Sequence, residues 1–255
     1  MNSLKKNISI LINKILSIIN LRLIYKNDHI FNHNAFELEN INISKSYSMT
    51  GEKRMSHLTK CIKYIHKNNI SGDLVECGVW RGGNLILMKR LIDHFGLNKN
   101  IYGYDTFEGM SPASEYDINI ENEKASKLLN NEKKIENLGA KNIWCFSGID
   151  TVRENLVKHT NNNNLTLIKG DVSDTLRNDK NIPKSISLLR LDTDFYESTK
   201  VELEVLFPKL EKGGVLIIDD YGHFKGARKA VDEYFGDRKI WLKYVDYTCR
   251  LYVKE

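Results

Sequence analysis

This chain of 255 residues has few cysteines, and they form no recognisable pattern. Its four cysteines, Cys61, Cys77, Cys145 and Cys249, fall in no disulfide or metal-binding spacing. Cys77 also lies inside a strand-like run. We therefore expect reduced thiols and a cytoplasmic location.

A hydrophobic run long enough to span a membrane is also missing. In residues 1–25 the apolar residues recur at helical spacing, but Asn13, Lys14, Asn20 and Arg22 make the stretch too polar for a span. No small-residue cleavage site follows, which argues against a signal peptide. We expect a basic amphipathic helix that either lies peripherally on a membrane or packs on another subunit of a homo-oligomer.

Charge of neither sign is in strong excess, with 38 basic and 33 acidic residues and a net charge of +5. The lysines are spread along the whole chain, which ordinary solvated lysines explain, so we expect no nucleic acid partner. The length and a hydrophobic content of 41% fit one large α/β domain with a substantial core.

The chain divides into two predicted parts. Residues 1–48 are predicted to hold the amphipathic helix and a connector, of which residues 27–48 are polar, rich in asparagine and irregular. Residues 49–255 are predicted to form the α/β domain. Within it, residues 111–141 are rich in Glu, Lys and Asn and are either a lid over the site or a solvated helical insertion.

Four aspartates follow two apolar runs that are typical of buried strands. Asp192 and Asp194 come after Ser187–Leu191, and Asp219 and Asp220 come directly after the run that begins at Gly214. Ligands of open α/β sheets bind at the carboxyl ends of the strands, so we expect these carboxylates at one edge. Their mutual repulsion favours a bound hard cation such as Mg²⁺. The alternative is that single aspartates cap the helices that follow.

A second pattern indicates a nucleoside ligand. The strand Asp73–Cys77 leads into the glycine-rich turn Gly78–Gly83 and a helix, an arrangement that lets backbone N–H groups approach a ligand. Asp105 ends the next strand and is suited to accept the ribose hydroxyls. Asp171 ends a third strand, Leu165–Lys169, where an adenine edge could be read, although either aspartate could merely form a turn.

Four motifs, in this order, resemble the macrocin O-methyltransferase family: Asp73–Gly83, Asp105–Met110, Leu191–Thr199 and Asp219–Gly222. The resemblance implies a class I, Rossmann-like methyltransferase fold, S-adenosylmethionine as cofactor, Mg²⁺ dependence and methylation of a sugar hydroxyl. It implies Asp192, Asp219 and Asp220 as metal ligands and Asp194 as general base. The implied cofactor-binding residues are Met49, Thr50, Glu76, Gly78, Gly82, Asp105, Phe107 and Asp171. Asp171 stands where family members usually place an aromatic residue.

The chemistry of the carboxylates is consistent with methyl transfer. A sulfonium donor is already activated, so the enzyme must mainly align an oxygen nucleophile and remove its proton. Three aspartates on a divalent ion would stabilise the alkoxide and leave Asp194 to accept the proton. The acceptor stays open: a glycan precursor, a nucleotide-linked sugar, a lipid-linked saccharide or a glycosylated metabolite would each serve.

Other functions also fit part of the pattern. An Asp-x-Asp sequence after an apolar strand is typical of metal-dependent nucleotide-sugar glycosyltransferases, and of aspartyl phosphatases with Asp192 as nucleophile. Both alternatives leave the turn Gly78–Gly83 and Asp105 unexplained. A non-catalytic nucleoside-binding scaffold is a third alternative.

The predicted fold is a three-layer α/β sandwich with a mostly parallel sheet. Residues 240–245 and 248–253 alternate in polarity and lie close together. They are predicted to form an antiparallel hairpin at the sheet edge.

Overall fold

The computed structural model describes Ile12, residues 33–139 and residues 142–255. One sheet contains the strands β1 (Asp73–Cys77), β2 (Ile101–Asp105), β3 (Leu165–Lys169), β4 (Ile186–Leu191), β5 (Leu210–Ile218), β6 (Lys243–Tyr244) and β7 (Arg250–Val253). Their order across the sheet is β3-β2-β1-β4-β5-β7-β6. The described α-helices are α1 (Ala35–Lys45), α2 (Glu52–Lys67), α3 (Gly83–His94), α4 (Ala125–Asn131), α5 (Ile149–His159), α6 (Val172–Thr175), α7 (Tyr196–Val205) and α8 (Lys225–Phe235).

Strands β1 to β5 are parallel to one another, with β1 and β4 paired at the centre. Every residue of β4 and all but the first of β1 are buried, because helices cover both faces of the sheet. One apolar cluster joins α2, α3 and α5 to the sheet, and a second joins α7 and α8 to the opposite face. The predicted three-layer α/β fold is confirmed.

The carboxyl-terminal strands form the predicted hairpin. Strand β7 runs antiparallel to both β5 and β6. Strand β6 has only two residues, so it is shorter than the predicted segment 240–245. The hairpin closes the sheet on the side next to β5.

Helix α1 lies in the segment that was predicted to be irregular, and for residues 35–45 that prediction was wrong. The buried carboxylate of Glu37 binds Lys63 of α2 at 2.6 Å and His33 at 2.7 Å. Asn40 is fully buried and accepts a hydrogen bond from Arg90 of α3. Most buried positions of α1 are thus polar. Because the buried face is not apolar, apolar periodicity in the sequence does not indicate this helix.

The predicted amphipathic helix of residues 1–25 lies outside the described residues, apart from Ile12, which is helical and exposed. The division at residue 48 therefore stays a prediction. No helix of the described part is long and apolar enough to cross a membrane.

Candidate active site

A cavity of about 430 Å³ lies at the carboxyl ends of β1, β2, β4 and β5. This is the edge at which open α/β sheets bind ligands. Its lining includes Met49, Thr50, Gly78, Asp105, Asp192, Asp194, Asp219 and Asp220. The predicted nucleoside site and the predicted metal site are therefore parts of one cavity.

The turn after β1 packs directly against the end of β4. Gly78 has a φ of 85°, and a Cβ there would lie 1.9 Å from the carbonyl oxygen of Asp192, so only glycine fits. The Asp105 carboxylate accepts hydrogen bonds from the backbone N–H groups of Val79 (2.7 Å) and Trp80 (3.0 Å). Burial raises the pKa of Asp105, and these donors oppose the rise. Asp105 thus holds the turn in place and also lines the cavity.

The predicted cofactor residues divide into two groups. Met49, Thr50, Gly78 and Asp105 line the cavity, whereas Glu76, Gly82, Phe107 and Asp171 are not among its lining residues. A Cβ on Gly82 would lie 3.3 Å from Val152 of α5, and Phe107 is buried in the apolar core. Asp171 accepts a hydrogen bond from the backbone N–H of Ser173 at 2.8 Å and caps α6. In this position Asp171 serves the fold of the loop.

Arg190 is the centre of the polar network beneath the cavity. It is fully buried on β4, and its Nη1 donates to Glu76 Oε1 (2.8 Å) and Asp192 Oδ2 (2.6 Å). Its Nη2 donates to Thr50 Oγ1 (2.9 Å) and Asp219 Oδ1 (2.7 Å). Burial disfavours its charge, but the carboxylates outweigh burial and raise the Arg190 pKa. One guanidinium therefore joins the predicted cofactor motif to two predicted metal ligands.

Arg54 of α2 binds Asp219 from the cavity side. Its Nη1 donates to Asp219 Oδ2, and its Nε lies 3.3 Å from Asp246 Oδ2. Both oxygens of Asp219 therefore face an arginine. Burial disfavours ionisation of Asp219, but Arg190 and Arg54 outweigh it and lower the pKa of this carboxyl. Neither arginine was predicted as a site residue, although an arginine within an apolar strand is itself a signal of buried partners.

The other three carboxylates converge at the end of β4 and β5. Single oxygens of Asp192, Asp194 and Asp220 all lie within 4.8 Å of one another. Burial raises the pKa of Asp194 to about 7, and the charges of Asp192 and Asp219 add to the rise, while a hydrogen bond with Asp220 opposes it. Burial and the neighbouring Asp194 raise the pKa of Asp220 well above its usual range. The cluster is electrostatically unfavourable without a cation or a shared proton.

A divalent cation fits this cluster by its donor chemistry. Asp220 Oδ2 is buried and has no hydrogen-bond partner among the described residues. Carboxylate oxygens are the ligands that Mg²⁺ prefers. The arrangement groups Asp194 with Asp192 and Asp220, whereas Asp219 is occupied by the two arginines.

The segment 111–141 forms one wall of the cavity through Ser111, Asn119, Glu123, Leu128 and Glu132. Asp117 attaches it to the core, because this buried carboxylate accepts a hydrogen bond from the Tyr196 N–H at the start of α7 (2.8 Å). Only α4 is helical in the described part of the segment. Its opening and closing as a lid stays a prediction.

Comparison with known proteins identifies the family. The sequence profile of the macrocin-O-methyltransferase (TylF) family matches residues 40–254. The chain belongs to this family. It is 31% identical over 193 residues to the demethyldecarbamoylnovobiocin O-methyltransferase of Streptomyces niveus, covering 75% of this chain and 68% of that protein. It is also 31% identical over 196 residues to a rhamnosyl-tetracenomycin C 4'-O-methyltransferase of Streptomyces olivaceus, covering 76% and 69%.

A solved structure agrees with the macrocin-O-methyltransferase assignment. The O-methyltransferase NovP superposes with a TM-score of 0.68 at 28% identity, covering 82% of each chain. The protein is therefore an S-adenosylmethionine-dependent O-methyltransferase with the class I fold. The sequence pattern alone also fitted a glycosyltransferase or a phosphatase. Membership of this family shows that the reaction is methyl transfer.

Proposed function

We propose that this enzyme methylates a hydroxyl of a sugar-containing small molecule in a Mg²⁺-dependent reaction. The observation that carries the proposal is the convergence of Asp192, Asp194 and Asp220 in the cofactor cavity. A relative that acts on a rhamnosyl-tetracenomycin supports a sugar as the acceptor.

The side chains of the cavity have distinct parts in this reaction. When bound, the cofactor supplies an electrophilic methyl group and the cation supplies positive charge that stabilises a developing alkoxide. Asp192 and Asp220 are suited to hold the cation, and Arg190 fixes the orientation of Asp192. Asp194 accepts the proton of the sugar hydroxyl, since a base with a pKa of about 7 is well matched to neutral pH.

Asp105 and the turn that it holds are suited to bind the nucleoside part of the cofactor. The turn exposes backbone close to the cavity, and Asp105 itself is part of the lining. In this position the cofactor would share the cavity with the carboxylate cluster, and the acceptor hydroxyl would lie between them. A restricted geometry of this kind is the main requirement for methyl transfer.

Two substitutions separate the base from the cation site. Asp194→Asn should leave binding of S-adenosylhomocysteine nearly unchanged while turnover falls by roughly 10²-fold or more, the scale of general base catalysis. Asp220→Asn should lose both Mg²⁺ binding and turnover, since it removes a ligand charge. Calorimetry with Mg²⁺ and with S-adenosylhomocysteine, and methyl transfer to a set of glycosides, measure these effects.

The matched control is Asp174→Asn, because the Asp174 side chain is 76% exposed on α6. This variant should behave as the wild type in all three assays. Full activity of Asp194→Asn would mean that the cation alone activates the hydroxyl. Asp219→Asn tests the third predicted metal ligand. Loss of Mg²⁺ binding in this variant would support the predicted ligand role of Asp219.

A further inference from the structure

Cations and tyrosine rings alternate along one surface of the protein. Lys53 Nζ lies 5.8 Å from the centre of the Tyr244 ring, and the Arg250 guanidinium lies 4.8 Å from the same ring. Arg250 also lies 5.2 Å from the Tyr221 ring, which has Arg228 at 5.2 Å. We call these five side chains the cation–tyrosine strip. It connects α2, on one face of the sheet, to α8 on the other.

The strip lies beside residues that line the catalytic cavity, although none of its five side chains is itself part of the lining. Lys53 directly precedes Arg54, and Tyr221 directly follows Asp220, and both of those neighbours line the cavity. The loop between β6 and β7 adds Tyr247, which also lines the cavity and is 56% exposed. The backbone that carries the strip is therefore continuous with this wall of the cavity.

The three cations of the strip form no direct ion pair in the part of the chain that the structure describes. Within the described residues, Lys53, Arg228 and Arg250 form no ion pair with a carboxylate. Arg228 and Arg250 donate instead to backbone carbonyl oxygens. Two acids of this region contact other groups: Asp232 accepts a hydrogen bond from the Tyr221 hydroxyl at 2.8 Å, and Asp246 binds Arg54 at 3.3 Å.

We propose that the cation–tyrosine strip binds the diphosphate of a nucleotide-linked sugar whose sugar lies in the cavity. This inference rests on the proposed function and narrows its acceptor to a nucleoside diphosphate sugar. Arginine and lysine side chains bind phosphate oxygens, and within the described residues no carboxylate is paired with the three cations of the strip. The exposed ring of Tyr244, at 60%, offers a stacking surface for the base.

Binding at the strip would separate the phosphates of the acceptor from the carboxylates that act on its sugar. The three cations of the strip are outside the carboxylate cluster, so an anionic group bound there does not approach Asp192, Asp194 or Asp220. A phosphate inside the cavity would be repelled by these carboxylates unless the cation screened it. Binding at the strip would keep the negative charge of the acceptor away from the carboxylates while its neutral sugar occupies the cavity.

Calorimetry with uridine diphosphate and with inorganic pyrophosphate tests this binding directly. The double variant Lys53→Gln/Arg228→Gln should weaken both ligands by about tenfold or more, since two charge-assisted contacts are lost. The charge-preserving pair Lys53→Arg/Arg228→Lys should retain most of the affinity. The matched control is Lys209→Gln/Lys212→Gln, which removes the same charge from exposed positions at the opposite end of β5.

Cofactor binding separates failure of this proposal from failure of the proposed function. All variants should bind S-adenosylhomocysteine as the wild type does, which also verifies that they fold. Equal loss of nucleotide affinity in the control variant would overturn the strip as a site. So would a wild-type enzyme that methylates neutral glycosides but binds neither uridine diphosphate nor pyrophosphate, or one that binds phosphatidylglycerol vesicles through the strip but no free nucleotide. If the wild type binds no S-adenosylhomocysteine and methylates no sugar, the proposed function itself is wrong.

Discussion

At the scale of single residues, Arg190 determines how the carboxylates of the site can coexist. Its guanidinium contacts Glu76, Asp192 and Asp219, all of which lie on the three central strands or directly at their ends. Without it, these carboxylates would be buried with much less compensating charge. The ion network is therefore a condition for the fold as well as for the site.

We expect Arg190→Leu to lower the free energy of unfolding by roughly 3–5 kcal/mol, the usual cost of removing one partner from a buried ion pair. Urea denaturation followed by circular dichroism measures this change. Arg177→Leu is the control, because Arg177 is 79% exposed and its pair with Asp174 contributes little. A stable Arg190→Leu protein would mean that the carboxylates accept protons at small cost.

The same residue marks a limit of sequence reasoning about the site. The four aspartates were found because they follow apolar runs, and the cavity does bring them together. Arg190 lies within such a run, and three of its four partners, Asp219, Glu76 and Thr50, are 29, 114 and 140 positions away. The apolar pattern around Arg190 does not indicate which distant residues it contacts.

At the scale of secondary structure, strands were predictable and α1 was not. Strands β1 to β5 are short apolar runs that end in turns or aspartates, and the structure places each close to its expected position. Helix α1 buries Glu37, Asn40 and Ser44, so its inner face is largely polar. Its position is set by ion pairs and hydrogen bonds to α2 and α3, which apolar periodicity does not reveal.

The attachment of α1 should therefore depend on the charge of Glu37. Its pKa lies below the usual 4.5, because Lys63 and His33 outweigh the effect of burial. A lowered pKa means that the stabilisation is present above pH 4.5 and is lost as the pH falls through the folded value. We expect Glu37→Gln to increase amide exchange in α1 by roughly tenfold or more at pH 7, since charge-assisted hydrogen bonds are worth about 1.5–3 kcal/mol.

Hydrogen exchange detected by mass spectrometry measures this effect on residues 35–45. In the wild type, exchange of α1 should also increase below pH 4.5, beyond the intrinsic change in rate. Glu39→Gln is the control on the same helix, because the Glu39 side chain is 65% exposed. If Glu37→Gln and Glu39→Gln exchange alike, apolar contacts of Ile41 and Phe36 hold α1 instead.

At the scale of the whole molecule, the first 25 residues carry the prediction about assembly. In the predicted helix, the apolar residues would form a face too broad to remain exposed on a monomer. Deleting residues 1–25 should lower the oligomer mass measured by light scattering, or abolish binding to liposomes, while cofactor affinity stays the same. Unchanged mass, together with no liposome binding by the full chain, would mean that this face packs on its own domain.

The two edges of the sheet bear on a different property, resistance to aggregation. An exposed edge strand is a template onto which another chain can add, and short strands with lysine side chains counter this. Strand β6 is two residues long and begins with Lys243, and β3, at the other edge, ends with Lys169. Among the described residues neither outer edge is paired with a further strand. The hairpin that completes the fold thus ends the sheet on this side with a strand of only two residues, which offers little backbone onto which another chain could add.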